Sequence, residues 1–257
     1  MAESVAVDLL PFPHGFFTRR GGVSTGPFAS LNCSLSGPDN PDAVLENRGL
    51  VADSLGVARD RLLGCTQVHG IDVAEVTMPW AAGEGPRADA MVTRIPGMAL
   101  GIVTADCAPI LFADPAAGVV GAAHAGWRGA VAGVIEATLR AMMVLGAQKN
   151  QIKAAVGPCI GQESYEVASD LRDAVIAGAP GNARFFVDGD REGRWRFDLA
   201  GYCAARLNAA GIAGVTVTGL DTLAETERFF SHRRRTLAGS GPIGHQISVI
   251  ALSRSSP

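Results

Sequence analysis

The chain has 257 residues, of which 47% are hydrophobic and 18% are charged, and its formal net charge at pH 7 is −3. A chain of this length and composition is long enough to bury a large core. It has no basic field of the kind that attracts duplex nucleic acid or an anionic membrane surface. The composition therefore argues against nucleic-acid and membrane partners and favours a small-molecule partner.

The cysteines and the N-terminal residues favour a cytoplasmic protein. Five cysteines are an odd number, and they are widely spaced without a CxxC pair, which is typical of reduced thiols rather than of a disulfide framework. The first residues include Glu3 and Asp8 and lack the basic start and continuous apolar core of a secretory signal. Aspartates and prolines interrupt the most apolar region, 98–125, so we expect no membrane span there.

In chain order, the first predicted elements are a strand over 14–18 and a helix that ends at residue 55. Asn40 is the predicted cap of this helix, because a proline and an aspartate follow it in the first turn. Between the two elements, Arg19 and Arg20 precede a Gly-Gly pair and several hydroxyl side chains. Such a donor-rich loop suits an anion such as phosphate, and the alternative is a surface turn with solvated arginines.

The next predicted strands flank a histidine. Strands over 62–68 and 73–76 enclose a tight turn in which His69 precedes a glycine. A backbone turn of this kind can direct an imidazole outward from a strand end. Taken alone, a histidine in such a turn is more often structural than functional.

Three apolar runs within 99–125 predict strands that are buried on both faces. Asp106 and Cys107 lie between the first two runs, and His124 closes the third. Burying an unpaired polar group costs on the order of 2 to 7 kcal/mol, so groups of this kind are retained for chemistry or held by specific partners. The ends of these strands are therefore expected to converge on a site.

The remaining elements complete a chain of strands and outer helices. A helix is predicted over 129–145, where small and apolar residues recur at helical spacing before a glycine, and a basic run over 229–235 is expected to form a solvated face. The other predicted elements are a strand over 152–156, a helix over 167–177, a hairpin of 185–187 with 195–197, a helix over 198–210, and strands over 215–218 and 247–252. Since no long linker or repeat occurs, we expect one domain over 1–257 with strands in mixed directions.

His69, Cys107 and His124 form the constellation with the clearest chemistry, because each stands at the end of a predicted strand. Two imidazoles and one thiolate suit zinc, with a fourth position left for water, which is the arrangement of catalytic rather than structural zinc sites. Such a metal activates water for hydrolytic attack or polarises a leaving group. Asp106 is then a candidate for orienting the ligand rings.

The same residues admit two other interpretations. In a metal-free cysteine hydrolase, Cys107 would be the thiolate nucleophile, His124 the base, and Asp106 or another carboxylate the group that orients the base. In a purely structural interpretation, the cysteine is buried and both histidines have hydrogen-bond partners. The residues alone leave these interpretations open.

Six segments of the chain resemble, in this order, the bacterial laccase-domain family, also called the YfiH or multicopper polyphenol oxidase-like family. The segments are HGFFTRRGGVSTGPFASLN, QVHG, GIVTADCAPILFAD, GAAHAGWRG, GPCIG and SHRR. The resemblance implies an α+β fold, a single-domain sandwich of mixed β-sheets flanked by helices. It also implies a zinc ion bound by the histidine of QVHG, the cysteine of TADC and the histidine of HAGWRG, which are His69, Cys107 and His124.

The resemblance implies several alternative activities. The family has been assigned copper-dependent oxidation of phenols, phosphorolysis of purine nucleosides (adenosine, inosine or methylthioadenosine) with adenosine deamination, and editing of peptidoglycan precursors. Multicopper oxidation requires many histidines, often in HxH pairs, whereas this chain has 5 histidines and no such pair. One zinc ion is sufficient for deamination. Phosphorolysis needs a phosphate site, for which the candidates are Arg19, Arg48, Arg128 and Arg233.

We therefore expect a zinc-dependent purine nucleoside enzyme with His69, Cys107 and His124 as ligands and Asp106 as a proton shuttle. The alternatives are a cysteine-type or metal hydrolase acting on a peptidoglycan precursor, copper in place of zinc, and a metal-buffering or protein-binding module without turnover. Family members often carry a Gly-Arg pair after SHRR, whereas this chain has His245 in that position. An imidazole there predicts a weaker and pH-dependent contact with substrate.

Overall fold

The computed structural model describes residues 2–252, and its strands form a five-stranded, a six-stranded and a three-stranded sheet. The helices are α1 (Pro41–Ser54), α2 (Trp127–Ala132), α3 (Val134–Val144), α4 (Ser169–Gly178), α5 (Leu199–Ala209) and α6 (His232–Leu237). The strands are β1 (Ser4–Val5), β2 (His14–Phe17), β3 (Leu62–Leu63), β4 (Val73–Glu75), β5 (Ala90–Thr93), β6 (Ala99–Thr104), β7 (Ala108–Asp114), β8 (Val119–Ala125), β9 (Lys153–Val156), β10 (Glu166–Val167), β11 (Phe186–Asp188), β12 (Trp195–Phe197), β13 (Gly214–Val217) and β14 (Gln246–Ala251). Within this part of the chain, no helix has both the length and the apolar character of a membrane-spanning segment.

Both large sheets contain parallel and antiparallel pairs, which confirms the predicted α+β class. The five-stranded sheet has the order β1-β2-β14-β6-β3, and its β3–β6 pair is parallel. The six-stranded sheet has the order β13-β9-β7-β8-β5-β4, with parallel pairs at its two edges and antiparallel pairs in its centre. The small sheet β10-β12-β11 is antiparallel and contains the predicted hairpin of β11 with β12.

The two large sheets pack face to face, and the sequence of β7 shows why. Side chains of a strand point alternately to its two faces. Leu111 and Ala113 belong to the apolar cluster between the sheets, whereas Ile110 and Phe112 belong to the cluster on the opposite face. All residues of β7 are buried, as expected for a strand covered on both sides. The predicted sandwich of mixed sheets is therefore confirmed.

Helices cover the outer faces of both sheets. Ile135 of α3 and Leu207 of α5 pack in the cluster on the outer face of the six-stranded sheet. Val51 of α1 packs with Ile247 and Val249 of β14 on the outer face of the five-stranded sheet. The order of layers is thus helix, sheet, sheet, helix, and it confirms that helices flank the sandwich.

Two predicted elements are wrong in their extent. The helix predicted over 129–145 is two helices, α2 and α3, because Gly133 between them has φ +107, a left-handed conformation that interrupts the helical hydrogen bonds. The strand predicted over 62–68 ends at Leu63. Beyond it, the N–H groups of Val68 and Gly70 donate to the side chain of Asp89 instead of to a neighbouring strand.

Candidate metal centre and active-site cavity

The three predicted ligands lie together at one end of the six-stranded sheet. His124 is near the end of β8, Cys107 directly precedes β7, and His69 lies in the turn between β3 and β4. The antiparallel pairing of β7 with β8 sets Pro109 opposite His124, so Cys107 and His124 share one end of the hairpin. The ligand atoms of the three residues all lie within 4.8 Å of one another, and Cys107 Sγ is 3.9 Å from His69 Nε2.

Asp89, which the sequence analysis did not select, organises this group. Its side chain is fully buried, and its Oδ1 accepts a hydrogen bond of 2.8 Å from Nδ1 of His124. The same carboxylate accepts backbone N–H bonds from Val68, His69 and Gly70. One side chain thus orients one ligand ring and fixes the turn that carries the other. The sequence signal that could have identified Asp89 is its position directly before the apolar run of β5.

Two backbone features let the ligands approach one another. His69 has φ +60, a left-handed conformation that is uncommon for non-glycine residues and that the bonds to Asp89 stabilise here. At Gly126, an added Cβ would lie 3.0 Å from Cys107 Sγ and 3.0 Å from His69 Cδ2. A side chain at Gly126 would therefore occupy space next to both ligands.

Cys107 and His124 stabilise one another's charged forms. Burial raises the pKa of the Cys107 thiol, but the opposing effect of His124 and His69 is larger, so that this pKa is lowered to about 6. Burial lowers the pKa of His124, whereas Cys107 and Asp89 together raise it to about 9. Cys107 is therefore a thiolate at neutral pH, which is the form that binds metal ions.

The donor set fits a single metal ion. Two imidazole nitrogens and one thiolate sulfur are the ligand types of zinc and of other borderline or soft ions, and three protein ligands leave a further position open. Because Nδ1 of His124 donates to Asp89, Nε2 is the nitrogen left to bind a metal. The carboxylate that contacts a ligand ring is thus Asp89, whereas the candidate Asp106 accepts from Thr222, Ser231 and Arg233.

His69, Cys107 and His124, which we call the metal group, lie at the wall of a cavity of about 620 Å³. This volume is within the range of small-molecule sites, about 300 to 1,000 Å³. Besides the three ligands, its polar and aromatic lining includes Arg48, Gln67, Trp127, Arg128, Tyr165, His232, Arg233 and His245. The cavity therefore combines a metal-type donor set with several cationic and aromatic side chains.

Three of the four arginines predicted to bind phosphate line this cavity: Arg48, Arg128 and Arg233. Arg128 stacks over the ring of Trp127, with its guanidinium carbon 4.6 Å from the ring centroid. The guanidinium carbon of Arg233 lies 5.4 Å from the ring centroid of Tyr165. Stacking holds a guanidinium in place while its edge keeps N–H donors for an anion.

Arg48 is a buried cation, with 6% of its surface exposed. It donates to the carbonyl oxygens of Cys33 and Leu62, and among residues 2–252 no carboxylate forms an ion pair with it. Burial lowers the pKa of Arg48. A buried charge without a counter-ion favours an anion in the adjoining space.

Arg19 is not brought to the cavity. Its Nε donates to the carbonyl of Ala29 at 2.8 Å, and its guanidinium carbon lies 4.4 Å from the ring centroid of Phe230. These contacts fasten the loop after β2 to the segment before α6. The geometry therefore assigns Arg19 a structural role, contrary to its prediction as a phosphate ligand.

The sequence predicted a solvated face for the basic run over 229–235, but the structure shows a run that is only partly exposed. Arg234 donates to the carbonyls of Thr222, Leu223 and Phe229. Arg233 faces the cavity. These arginines instead fix the segment that closes one side of the cavity.

His245 lines the cavity but is a neutral side chain near pH 7. Burial, together with the nearby His232 and His124, lowers the pKa of His245 to about 4. Its backbone N–H donates to the side chain of Asn32. Its contact with a substrate would not titrate near neutral pH, contrary to the pH dependence that the sequence analysis predicted.

The fold is an α+β sandwich of two packed sheets. At one cavity it brings together two imidazoles and a thiolate, a donor set that fits a metal ion. The chain belongs to the family described as multi-copper polyphenol oxidoreductase laccase, whose model matches residues 13–253. This match confirms the resemblance to the laccase-domain family.

Relatives and solved structures agree with the family assignment over nearly the whole chain. A Deinococcus radiodurans protein named purine nucleoside phosphorylase is 44% identical over 248 residues, covering 95% of this chain and 91% of its own length. Escherichia coli purine nucleoside phosphorylase YfiH is 39% identical and covers 86% and 88%. A crystal structure from Neisseria meningitidis has a TM-score of 0.86 at 34% identity and covers 98% and 99%.

Proposed function

We propose that this chain is a zinc-dependent purine nucleoside phosphorylase that also deaminates adenosine. The observation that carries the proposal is the convergence of His69, Cys107 and His124 within 4.8 Å, beside a cavity that three arginines line. The names of the relatives support the substrate class, since proteins 44% and 39% identical are named purine nucleoside phosphorylase.

Phosphorolysis requires a phosphate held close to the glycosidic bond. A phosphate oxygen forms a bond to ribose C1′ as the bond from C1′ to the base breaks, and the departing base keeps the electron pair and takes up a proton. Arg48, Arg128 and Arg233 supply the positive charge that binds phosphate and stabilises the developing charge. The stacking of Arg128 and Arg233 on aromatic rings limits their motion, which favours a fixed orientation of the phosphate.

Aromatic side chains in the cavity suit a purine. Trp127 and Tyr165 both line it, and a planar base can stack against rings of this kind. Burial, with the nearby Cys107 thiolate, raises the pKa of Tyr165, so its hydroxyl keeps its proton and can donate a hydrogen bond to substrate. Adenosine, inosine and methylthioadenosine share this purine group and are the proposed substrates.

Zinc would be held by Nε2 of His69, Nε2 of His124 and the Cys107 thiolate, and when bound it supplies a Lewis acid for nucleoside chemistry. The chain contributes the rest of the arrangement. Asp89 holds His124 in the tautomer that leaves Nε2 free, and it keeps His69 in its left-handed turn.

Copper-dependent oxidation of phenols is less well supported. A multicopper site needs several clusters of ligands, and within residues 2–252 His69, Cys107 and His124 form the one group of three that could hold a metal ion. His14 instead contacts the backbone of Val7 and Phe12. Copper remains the alternative occupant of the single site.

A metal-free cysteine hydrolase, acting on a peptidoglycan precursor, is the second candidate because the geometry also resembles a triad. Cys107 has a lowered pKa, His124 lies within 4.8 Å of it, and Asp89 orients His124. In such a hydrolase Asp89 would be the carboxylate that orients the base, a role that the sequence left to Asp106 or another carboxylate. Such an enzyme would be inhibited by thiol alkylation and would be insensitive to chelators.

The cytoplasm is the proposed location. All five cysteines are free, and Cys33, Cys159 and Cys203 are buried. Free thiols persist in a reducing compartment.

The first prediction tests the activity and the metal together. Metal-loaded protein incubated with adenosine and phosphate should yield adenine with ribose 1-phosphate, and inosine from deamination, as separated by chromatography. Cys107→Ala should lose both the bound zinc, measured by elemental analysis, and at least about 100-fold in turnover, because it removes the thiolate ligand.

Cys203→Ala is the matched control, since this buried cysteine lies in α5 outside the cavity. It should keep zinc and turnover. Absence of both adenine and inosine with the zinc-loaded wild-type protein would contradict the proposed function. Turnover of a cell-wall precursor that survives chelation but not alkylation would establish the second candidate instead.

A further inference from the structure

Asp106 lies between Cys107, which belongs to the metal group, and the segment that carries Arg233. It directly precedes Cys107 in the chain, and 8% of its surface is exposed. Its φ is +87, in the left-handed region that residues other than glycine rarely adopt. Such a conformation persists where surrounding contacts determine it.

The contacts of Asp106 use both carboxylate oxygens. Oδ1 accepts from the Thr222 hydroxyl at 2.6 Å, while Oδ2 accepts from the Ser231 hydroxyl at 3.0 Å and from the backbone N–H of Arg233 at 2.6 Å. Its own carbonyl accepts from the N–H of Ile160. Three of these donors belong to the segment that leads into α6 or begins it.

The first residues of α6 face the same cavity as the metal group. His232 and Arg233 both line it, although α6 lies more than 100 residues after Cys107 in the chain. Ser231 caps α6, because its hydroxyl oxygen accepts from the N–H of Arg234 at 3.1 Å. The carboxylate of Asp106 therefore links the residue before Cys107 to the segment that carries Arg233.

We infer that Asp106 is a positioning residue, which sets Arg233 at a fixed place relative to the metal group so that it can hold phosphate. The inference rests on the proposed phosphorolysis and deepens it. A proton shuttle needs a carboxylate oxygen directed at the substrate, whereas the oxygens of Asp106 accept from three protein donors. The carboxylate acts through Arg233, and no proton transfer passes through it.

Two substitutions at the same position separate positioning from proton transfer. Asp106→Gly removes the carboxylate but leaves φ +87 unstrained, so the backbone that leads into Cys107 is not forced to move. Asp106→Asn keeps most contacts, because its carbonyl oxygen can accept from Arg233 and Ser231 while its amide donates to the Thr222 hydroxyl. Asparagine also tolerates positive φ.

For Asp106→Gly we expect zinc content to be unchanged and the KM for phosphate to rise about tenfold, with kcat reduced by less than about threefold. Asp106→Asn should restore most of the phosphate affinity. In an Arg233→Ala background, Asp106→Gly should raise KM no further, because both changes remove the same interaction. A shared loss of at least about 100-fold in kcat for both Asp106 variants, with unchanged KM, would overturn the inference in favour of a proton shuttle.

A measurement without turnover separates this inference from the proposed function. Calorimetric binding of inorganic phosphate to the zinc-loaded protein should be weakened about tenfold in Asp106→Gly, and backbone hydrogen exchange in α6 should accelerate in that variant and return towards wild type in Asp106→Asn. If these shifts occur but no nucleoside is converted, the proposed function fails and the positioning role stands. Unchanged exchange in α6 would overturn the positioning role, whatever the activity.

Discussion

Two fully buried aspartates illustrate how a residue's surroundings decide its role. Asp114 accepts from the N–H groups of Ala116, Ala117 and Gln148, and all three of these contacts are structural. Asp89 also accepts from backbone N–H groups, but one of its oxygens binds His124 as well. The same residue type, equally buried, stabilises a turn in one place and a ligand ring in the other.

A second prediction follows from this difference. In Asp89→Asn the amide NH2 must face a donor in either orientation, because both oxygens of Asp89 accept from N–H groups. We expect zinc affinity to fall about 10- to 100-fold, as is usual when the partner of a ligand histidine is lost. Competition with a zinc indicator measures this change.

The control is Asp114→Asn, which also replaces a buried carboxylate that accepts backbone N–H bonds. It should lower the melting temperature and leave zinc affinity within about twofold of wild type. Equal losses of zinc affinity in the two variants would show that Asp89 has no special role.

The sequence predicted the grouping of His69, Cys107 and His124, but it did not indicate the part played by Asp89. Cys107 and His124 adjoin long apolar runs, where a polar side chain is conspicuous, and both lie at one end of the β7–β8 hairpin. Asp89 precedes the short strand β5, and an aspartate before a strand resembles an ordinary turn residue. Its partners lie 19 to 35 residues away, at distances that local sequence patterns do not report.

The element that matters most to the site is the turn between β8 and α2. Gly126 has φ −65 and ψ 160, a conformation open to any residue, so its backbone does not require glycine. The requirement comes from the two ligands, since a Cβ there would lie 3.0 Å from atoms of both Cys107 and His69.

A third prediction tests this steric requirement. Gly126→Ala should reduce zinc affinity by about tenfold, because metal–ligand distances tolerate only about 0.2 Å and both ligands must move by a few tenths of an ångström. The fold should persist, with the change in melting temperature confined to a few degrees. Zinc titration and thermal denaturation provide the two measurements.

Gly37→Ala is the control for the alanine substitution itself, since nothing lies within 4 Å of a Cβ at that position. It should leave zinc affinity unchanged and be neutral or slightly stabilising. Wild-type zinc affinity in Gly126→Ala would mean that the ligands need no such clearance.

Helices and strands with strong patterns were predictable, but their interruptions were not. The N-cap of α1 formed as its sequence indicates, with Asn40 accepting from the N–H groups of Asp42 and Ala43. A single glycine inside a helical pattern is compatible with a continuous helix, so the break at Gly133 has no local signal. After the early end of β3, Thr66 forms only an isolated bridge with Arg87, and the N–H groups of Val68 and Gly70 donate to the distant side chain of Asp89.

In the molecule as a whole, the proposed ligands His69, Cys107 and His124 lie outside the large apolar clusters that form the core. They lie at one end of the six-stranded sheet, while large apolar clusters fill the space between the sheets and beneath the helices. We therefore expect a chain of 257 residues with such cores to fold without a metal ion, in contrast to a zinc finger.

A fourth prediction concerns removal of the metal. Chelated protein should keep its secondary structure by circular dichroism and unfold cooperatively at a lower temperature. Zinc at about 1,000 times its dissociation constant adds about 4 kcal/mol, which corresponds to a shift of about 8–16 °C for a chain of this size. Cys107→Ala should show no zinc-dependent shift, and loss of secondary structure on chelation would contradict the prediction.

The pairing of β7 with β8 has a further consequence for how the chain reaches its native state. Ala108 pairs with Ala125, which sets Cys107 beside Gly126 and His124 next to the same edge. A slip of one residue in this hairpin would turn the imidazole to the opposite face of the sheet, where it could not share an ion with the sulfur. Binding of the proposed ion would therefore favour the correctly aligned hairpin over a slipped one, independently of the proposed reaction.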